Sequence, residues 1–161
     1  MAATCSHKDE TRQGVSSTAH LVASFRALEK DLFIDPYADL LGGTIGREFI
    51  EKMKNEENGE QKFQQFANGM ATRTKFIDEE VEASYEKNLV TQVVSLGAGL
   101  DTRPWRLSSS NNKRSDYFEV DFKEIFNFKL SLLPDPRTIK QFNYRGTRRL
   151  LLHLLSELSA E

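Results

Sequence analysis

The sequence predicts an α/β fold in which an N-terminal helical cap precedes an incomplete, doubly wound parallel sheet. Three observations carry that reading. Apolar residues recur at helical spacing through roughly the first half of the chain. The run Val93-Val94-Ser95-Leu96 then stops at Gly97-Ala98-Gly99, as a buried strand does where it opens into a loop. A second apolar run, Tyr117-Phe118-Glu119-Val120-Asp121-Phe122, begins 24 residues after Val93 and places an acid near its end, which is the pattern of a βαβ unit.

Residues 1–14 mix Lys8, Asp9, Glu10 and Arg12 without an apolar stripe and are expected to form a flexible N-terminus. The helical cap is expected over residues 15–90. Leu21, Val22, Phe25, Leu28 and Leu32 trace its first helix, which Asp35-Pro36 should stop. Ile45, Phe49, Ile50 and Met53 trace a second, and the polar stretch Lys54 to Glu60 reads as an exposed loop. Phe63, Phe66 and Met70, followed by Ile77, Val81 and Tyr85, carry the helical spacing to the first strand.

The sheet is expected over residues 91–144, with a third strand around Gln141 to Tyr144. Trp105 follows Pro104 and should fill the gap between helix and sheet. In residues 145–161, three arginines precede a leucine-rich segment whose Leu151, Leu154, Leu155 and Leu158 share one helical face. Core packing is the expected use of that face, and self-association the other.

The chemistry lies around the glycines. Gly97 and Gly99 carry no Cβ to hold a ligand away from the backbone, and they permit positive φ in a tight turn. A dinucleotide fingerprint would need a third glycine where Thr102 stands, so a nicotinamide cofactor is disfavoured. Taken alone, Asp121 reads as the cap of a helix starting near Lys123. Taken with the glycine loop, it reads as the acid that accepts hydrogen bonds from a ribose diol. Glu119 lies on the same strand face and is the second candidate. Asp101, Thr102 and Arg103 either build the next turn and pair with one another or touch the ligand; Arg103 is read as structural and Asp101 is left open.

These segments resemble a known family. Val93 to Leu107, with Tyr117 to Lys129, closely resembles the leucine carboxyl methyltransferase-like group of S-adenosylmethionine-dependent O-methyltransferases. Ala71-Thr72-Arg73-Thr74-Lys75-Phe76-Ile77-Asp78 is similar to that family's arginine-bearing helix. Phe33-Ile34-Asp35-Pro36-Tyr37-Ala38 is similar to its N-terminal Asp-Pro-Phe/Tyr signature. The resemblance covers roughly residues 15 to 130 and implies a Rossmann-like class I methyltransferase sheet. It also implies that S-adenosylmethionine is the cofactor, with Gly97 and Gly99 backing it, Asp121 on its ribose and Arg73 on its methionine carboxylate. A guanidinium suits that last role because it meets a carboxylate through two parallel hydrogen bonds. Without the resemblance, Arg73 reads as a solvated arginine on an amphipathic helix.

By resemblance the family is about twice as long, and its acceptor-pocket motifs have no counterpart in this sequence. A truncated form is therefore the expectation, and the methyl acceptor, a protein carboxylate or a small molecule, stays unknown. Three readings remain. The first is a methyltransferase acting on a carboxyl or hydroxyl oxygen. The second is a cofactor-binding fragment without catalysis. The third is a non-enzymatic interaction protein that docks through its leucine-rich tail.

Composition sets outer limits. Of 161 residues, 29% are charged and the formal net charge is −2, so bulk charge does not attract nucleic acid. Cys5 is the single cysteine, which excludes an internal disulfide and argues against a metal site. No apolar run is long enough to cross a bilayer, and a cytoplasmic location is the default expectation. His7, His20 and His153 are read as surface or packed histidines rather than bases.

Overall fold

In the computed structural model, residues 7–87, 89–107, 116–133 and 139–143 are described, with side chains described from residue 17 as far as residue 133. The expected C-terminal leucine helix and the 1–6 tail lie outside them. Three helices come first: α1 (His7–Leu28), α2 (Ala38–Lys54) and α3 (Gly59–Glu86). Strand β1 (Gln92–Leu96), the short helix α4 (Arg103–Arg106), β2 (Asp116–Asp121), α5 (Lys123–Leu132) and β3 (Ile139–Asn143) follow. The protein is a helix-rich α/β structure.

Helix α1 begins at His7, well before the boundary expected near residue 15. Lys8, Glu10, Arg12 and Gln13 are good helix formers and extend a helix already nucleated further along. It ends earlier than Asp35, at Leu28, because Glu29 Oε1 accepts the backbone N–H groups of Lys30, Asp31 and Leu32 and draws the chain into a turn. The buried face also differs from the apolar stripe read in sequence. His20, Ala23, Ser24, Phe25 and Arg26 are buried, whereas Leu28 and Leu32 are exposed. Tertiary partners override the pattern here: His20 Nδ1 lies 2.8 Å from the Leu41 carbonyl oxygen, and its ring meets Phe128 edge-on.

Helices α1 and α2 approach closely. A Cβ at Gly46 would overlap Ser24 Oγ and lie 2.6 Å from the His20 carbonyl oxygen, so only glycine permits this crossing. The polar loop between α2 and α3 is shorter than the expected 54–60, since α3 already begins at Gly59. The α3 helix then continues unbroken to Glu86, as the spacing of Phe63 to Tyr85 suggested.

The sheet has three parallel strands in the order β1-β2-β3, with Val93 opposite Tyr117 and Tyr117 opposite Ile139. Parallel strands need long return connections; α5 supplies the one from β2 to β3. The third strand falls close to where it was expected. Central β2 is buried from Tyr117 to Asp121. Among the described residues β1 pairs on one side only, and it leaves Val94 39% and Leu96 68% exposed. The core joins cap to sheet: Ala23, Leu41, Leu100, Ile125 and Leu133 form its centre, with Tyr37, Trp105 and Phe128 packed around them.

Candidate functional site

The glycine loop grows directly from the parallel pairing. Where β1 ends, the N–H groups of Gly97 and Ala98 both donate to the Val120 carbonyl oxygen, at 2.8 and 3.3 Å. The chain then turns through φ +65° at Gly97 and +52° at Gly99, values that L side chains rarely adopt. Gly99 N–H donates to Asp121 Oδ2 at 2.6 Å, and the other carboxylate oxygen accepts Phe122 N–H at 2.7 Å. Asp121 therefore ties the loop to the end of β2. It does not cap α5, whose N-cap position is Phe122 with no side-chain cap. A carboxylate has about four lone-pair sites, so two remain for a ligand.

The loop opens onto a cavity of about 980 Å³. Gly97, Gly99 and Asp121 form part of its wall, and α3 brings Arg73 to it. All four residues expected to hold a cofactor thus face one space. Arg73 is exposed and forms no ion pair with a described residue. A Cβ placed on Gly97 would meet no protein atom within 4 Å, so the backbone there is bare toward the cavity. Ile77 and Val81 from α3, with Val93 and Val94 from β1, give the cavity apolar lining. Few polar groups converging on an apolar cleft is the usual build of a small-molecule site.

Around the loop, charges are paired, and Arg26, Asp101 and Arg103 among them also line the cavity. Arg103 donates through Nε to Asp78 Oδ1 at 2.6 Å and through Nη1 to Asp101 Oδ2 at 2.9 Å. Arg106 reaches Asp78 through both terminal nitrogens, at 2.8 and 3.2 Å. Arg26 Nε donates to Asp35 Oδ2 at 2.9 Å, and Lys129 Nζ to Glu119 Oε1 at 2.6 Å. Four cations and four carboxylates balance in this buried group.

The pairing fixes protonation. Burial pushes the Asp101 carboxyl up, but Arg103, the Arg103 N–H, Arg26 and Lys129 outweigh it and hold the group below its ordinary value. Burial disfavours the charged Arg103 guanidinium, yet Asp101 and Asp78 raise its pKa overall. Burial, with the Tyr85 hydroxyl beside it, pushes Tyr117 far above the ordinary phenol range, so this cavity residue stays protonated.

Glu119, the second candidate for a ribose, is not in the cavity wall. It is completely buried against Lys129, which also donates to the Asp101 carbonyl oxygen at 3.1 Å. Asp101 and Arg103 pair with each other, as one of the two readings had it, and both also border the cavity. Sequence reasoning missed Arg26, Asp78, Arg106 and Lys129. On helices, each reads as a solvated charge, and no local signal marks its distant partner. No described helix is long and apolar enough to cross a membrane.

A glycine loop and an acid at the carboxyl ends of parallel strands, facing a cleft, define an α/β protein with its ligand site where such sheets carry them. The sequence matches the leucine carboxyl methyltransferase family over residues 16–147, and the chain belongs to that family. It is 34% identical over 154 residues to a Mycobacterium marinum protein provisionally named an S-adenosyl-L-methionine-dependent methyltransferase; the match covers 85% of this chain and 48% of that one. A similarly named Mycobacterium bovis protein is 35% identical over 131 residues, covering 75% and 42%. One from Mycobacterium ulcerans is 31% identical over 147 residues, covering 84% and 47%. The chain spans just under half the length of the relatives it matches.

Proposed function

We propose that this chain provides the cofactor site of an S-adenosylmethionine-dependent methyltransferase that acts on a carboxyl or hydroxyl oxygen. The observation that carries the reading is the convergence of Gly97, Gly99, Asp121 and an unpaired Arg73 on one cavity in a member of this family. The residues suit the ligand. Arg73 would pair with the methionine carboxylate, the free lone pairs of Asp121 would accept the ribose hydroxyls, and the bare backbone at Gly97 lets the sulfur-bearing chain lie close.

When bound, the cofactor supplies a methyl group already activated by a positive sulfonium. The protein's share is then to hold that methyl in line with an acceptor oxygen and to exclude water. A carboxylate acceptor needs no base at neutral pH. Tyr117, kept protonated, supplies none. Rossmann-like topology belongs to this proposal, as does a cytoplasmic location, which rests on composition.

The test is calorimetric titration with S-adenosylhomocysteine. Wild-type protein is expected to bind, and Asp121→Ala to bind about 10- to 100-fold more weakly, the value of a hydrogen bond to a charged acceptor. No binding by the folded wild-type chain would refute the cofactor site. Binding without methyl release from S-adenosylmethionine, across carboxylate and hydroxyl acceptors, would favour the reading of a binding unit without catalysis.

A further inference from the structure

We infer that Asp35, outside the cavity, is a positioning residue for the glycine loop, acting through Thr102 and Arg26; the consequence for ligand affinity rests on the proposed cofactor site. Asp35 Oδ2 accepts two hydrogen bonds, from Thr102 Oγ1 at 2.6 Å and from Arg26 Nε at 2.9 Å. Arg26 extends the clamp, since its Nη2 donates to the Leu100 carbonyl oxygen at 2.6 Å. The residues on both sides of Asp101 are thereby fixed to distant chain, Thr102 to Asp35 67 residues earlier and Leu100 to Arg26 74 residues earlier. Asp35 is itself oriented by Tyr37 N–H, which donates to Oδ1 at 3.1 Å. Neither Asp35 nor Thr102 lines the cavity.

The loop is thus held at two points. Asp121 fastens Gly99 on the sheet side, and the Asp35–Arg26 pair fastens Leu100 and Thr102 on the helical side. With both in place, the amide groups and bare backbone of residues 97–99 are set before any ligand arrives. Loss of the second point lets the loop sample other shapes. Apparent affinity falls by the fraction of molecules that remain competent, about tenfold if one in ten does.

Thr102 is completely buried, and its shape and its hydroxyl can be changed separately. The hydroxyl also accepts from Arg106 Nε at 3.0 Å, so Asp35→Asn, which spares that bond, is measured beside it. Thr102→Val keeps the shape and removes the hydroxyl, whereas Thr102→Ser keeps the hydroxyl and removes a methyl group. If Thr102 only fills space, serine is the harmful change and valine the harmless one. The positioning role predicts the reverse. S-adenosylhomocysteine affinity should fall about tenfold in Thr102→Val and stay within about twofold in Thr102→Ser. Amide exchange at Gly99, followed by NMR, should quicken in Thr102→Val and Asp35→Asn but not in Thr102→Ser, while amides in α2 keep their rates.

Equal affinity and equal Gly99 protection in wild type and Thr102→Val would overturn the inference. Should the wild-type chain bind no S-adenosylhomocysteine, the cofactor reading fails by itself, and the exchange rates alone decide the role of Asp35. If Thr102→Val does not fold, Asp35→Asn decides alone, with the same local quickening expected at Gly99 and an unchanged rate contradicting the inference.

Discussion

The charges around the glycine loop are used in two opposite ways. In one group, Arg26, Arg103, Arg106 and Lys129 meet Asp35, Asp78, Asp101 and Glu119 within hydrogen-bonding distance, although Arg26, Asp101 and Arg103 also border the cavity. By contrast, Arg73 on the cavity wall is exposed and left without an ion partner among the described residues, while Asp121, itself buried, spends one oxygen on Gly99 and the other on Phe122. Buried charges without partners are costly, so the first group is paired to neutrality. An exposed charge tolerates solitude and stays available to a ligand. On the proposed function, the same residue types would serve architecture in one place and recognition in the other.

Removing one member of the paired group should cost most. Glu119→Leu leaves Lys129 buried without its carboxylate, both side chains being 0% exposed, and is expected to cost about 3–5 kcal/mol in urea unfolding. The double change Glu119→Met with Lys129→Met sharpens the point. It removes both charges together and should recover most of that loss, because a hydrophobic pair of similar volume is often no worse than a buried ion pair. A double variant as unstable as the single would mean that the pair does more than cancel itself.

Acid should dismantle the same group next. Asp101 titrates lower in the folded protein than the 3.8 of an unperturbed aspartate, so folding binds fewer protons there than the unfolded chain does. Its contribution is complete above about pH 4 and disappears as pH falls through the folded value. Stability measured from pH 5 down to pH 2 should thus decline less steeply in Asp101→Asn than in wild type. Equal slopes would show that Arg103 does not hold the carboxylate.

The smallest effect belongs to a pair outside both regions. Arg47 and Asp39 on α2 lie 3.0 Å apart but are 54% and 79% exposed. Asp39→Asn is expected to change stability by less than about 0.5 kcal/mol. A larger loss would blur the line between paired and open charges.

What the sequence disclosed and what it hid follow the same division. The loop and its acid were legible because their signals are local: apolar run, glycines, then a second run ending in Asp121. The parallel sheet followed from that spacing. Apart from Asp101 and Arg103, two residues apart, the charged group was hidden because no local pattern marks its partners, Thr102 lying 67 residues from Asp35 and Arg106 28 from Asp78. Asp35 shows the limit well. Next to Pro36 it reads as a turn residue, which it is, yet its second oxygen works on another part of the chain. In α1 the leucine stripe misled for a related reason, since His20 and Arg26 turn inward to partners that periodicity does not register.

The most direct test of this division is the unfolding midpoint of wild type and Arg73→Ala, each with and without S-adenosylhomocysteine. If the open charge serves only the ligand, the two unliganded midpoints coincide. Ligand at a hundred times its dissociation constant then stabilises wild type by about 2.7 kcal/mol and Arg73→Ala far less. An Arg73→Ala protein that melts early without ligand, or gains as much from it as wild type, would contradict the account.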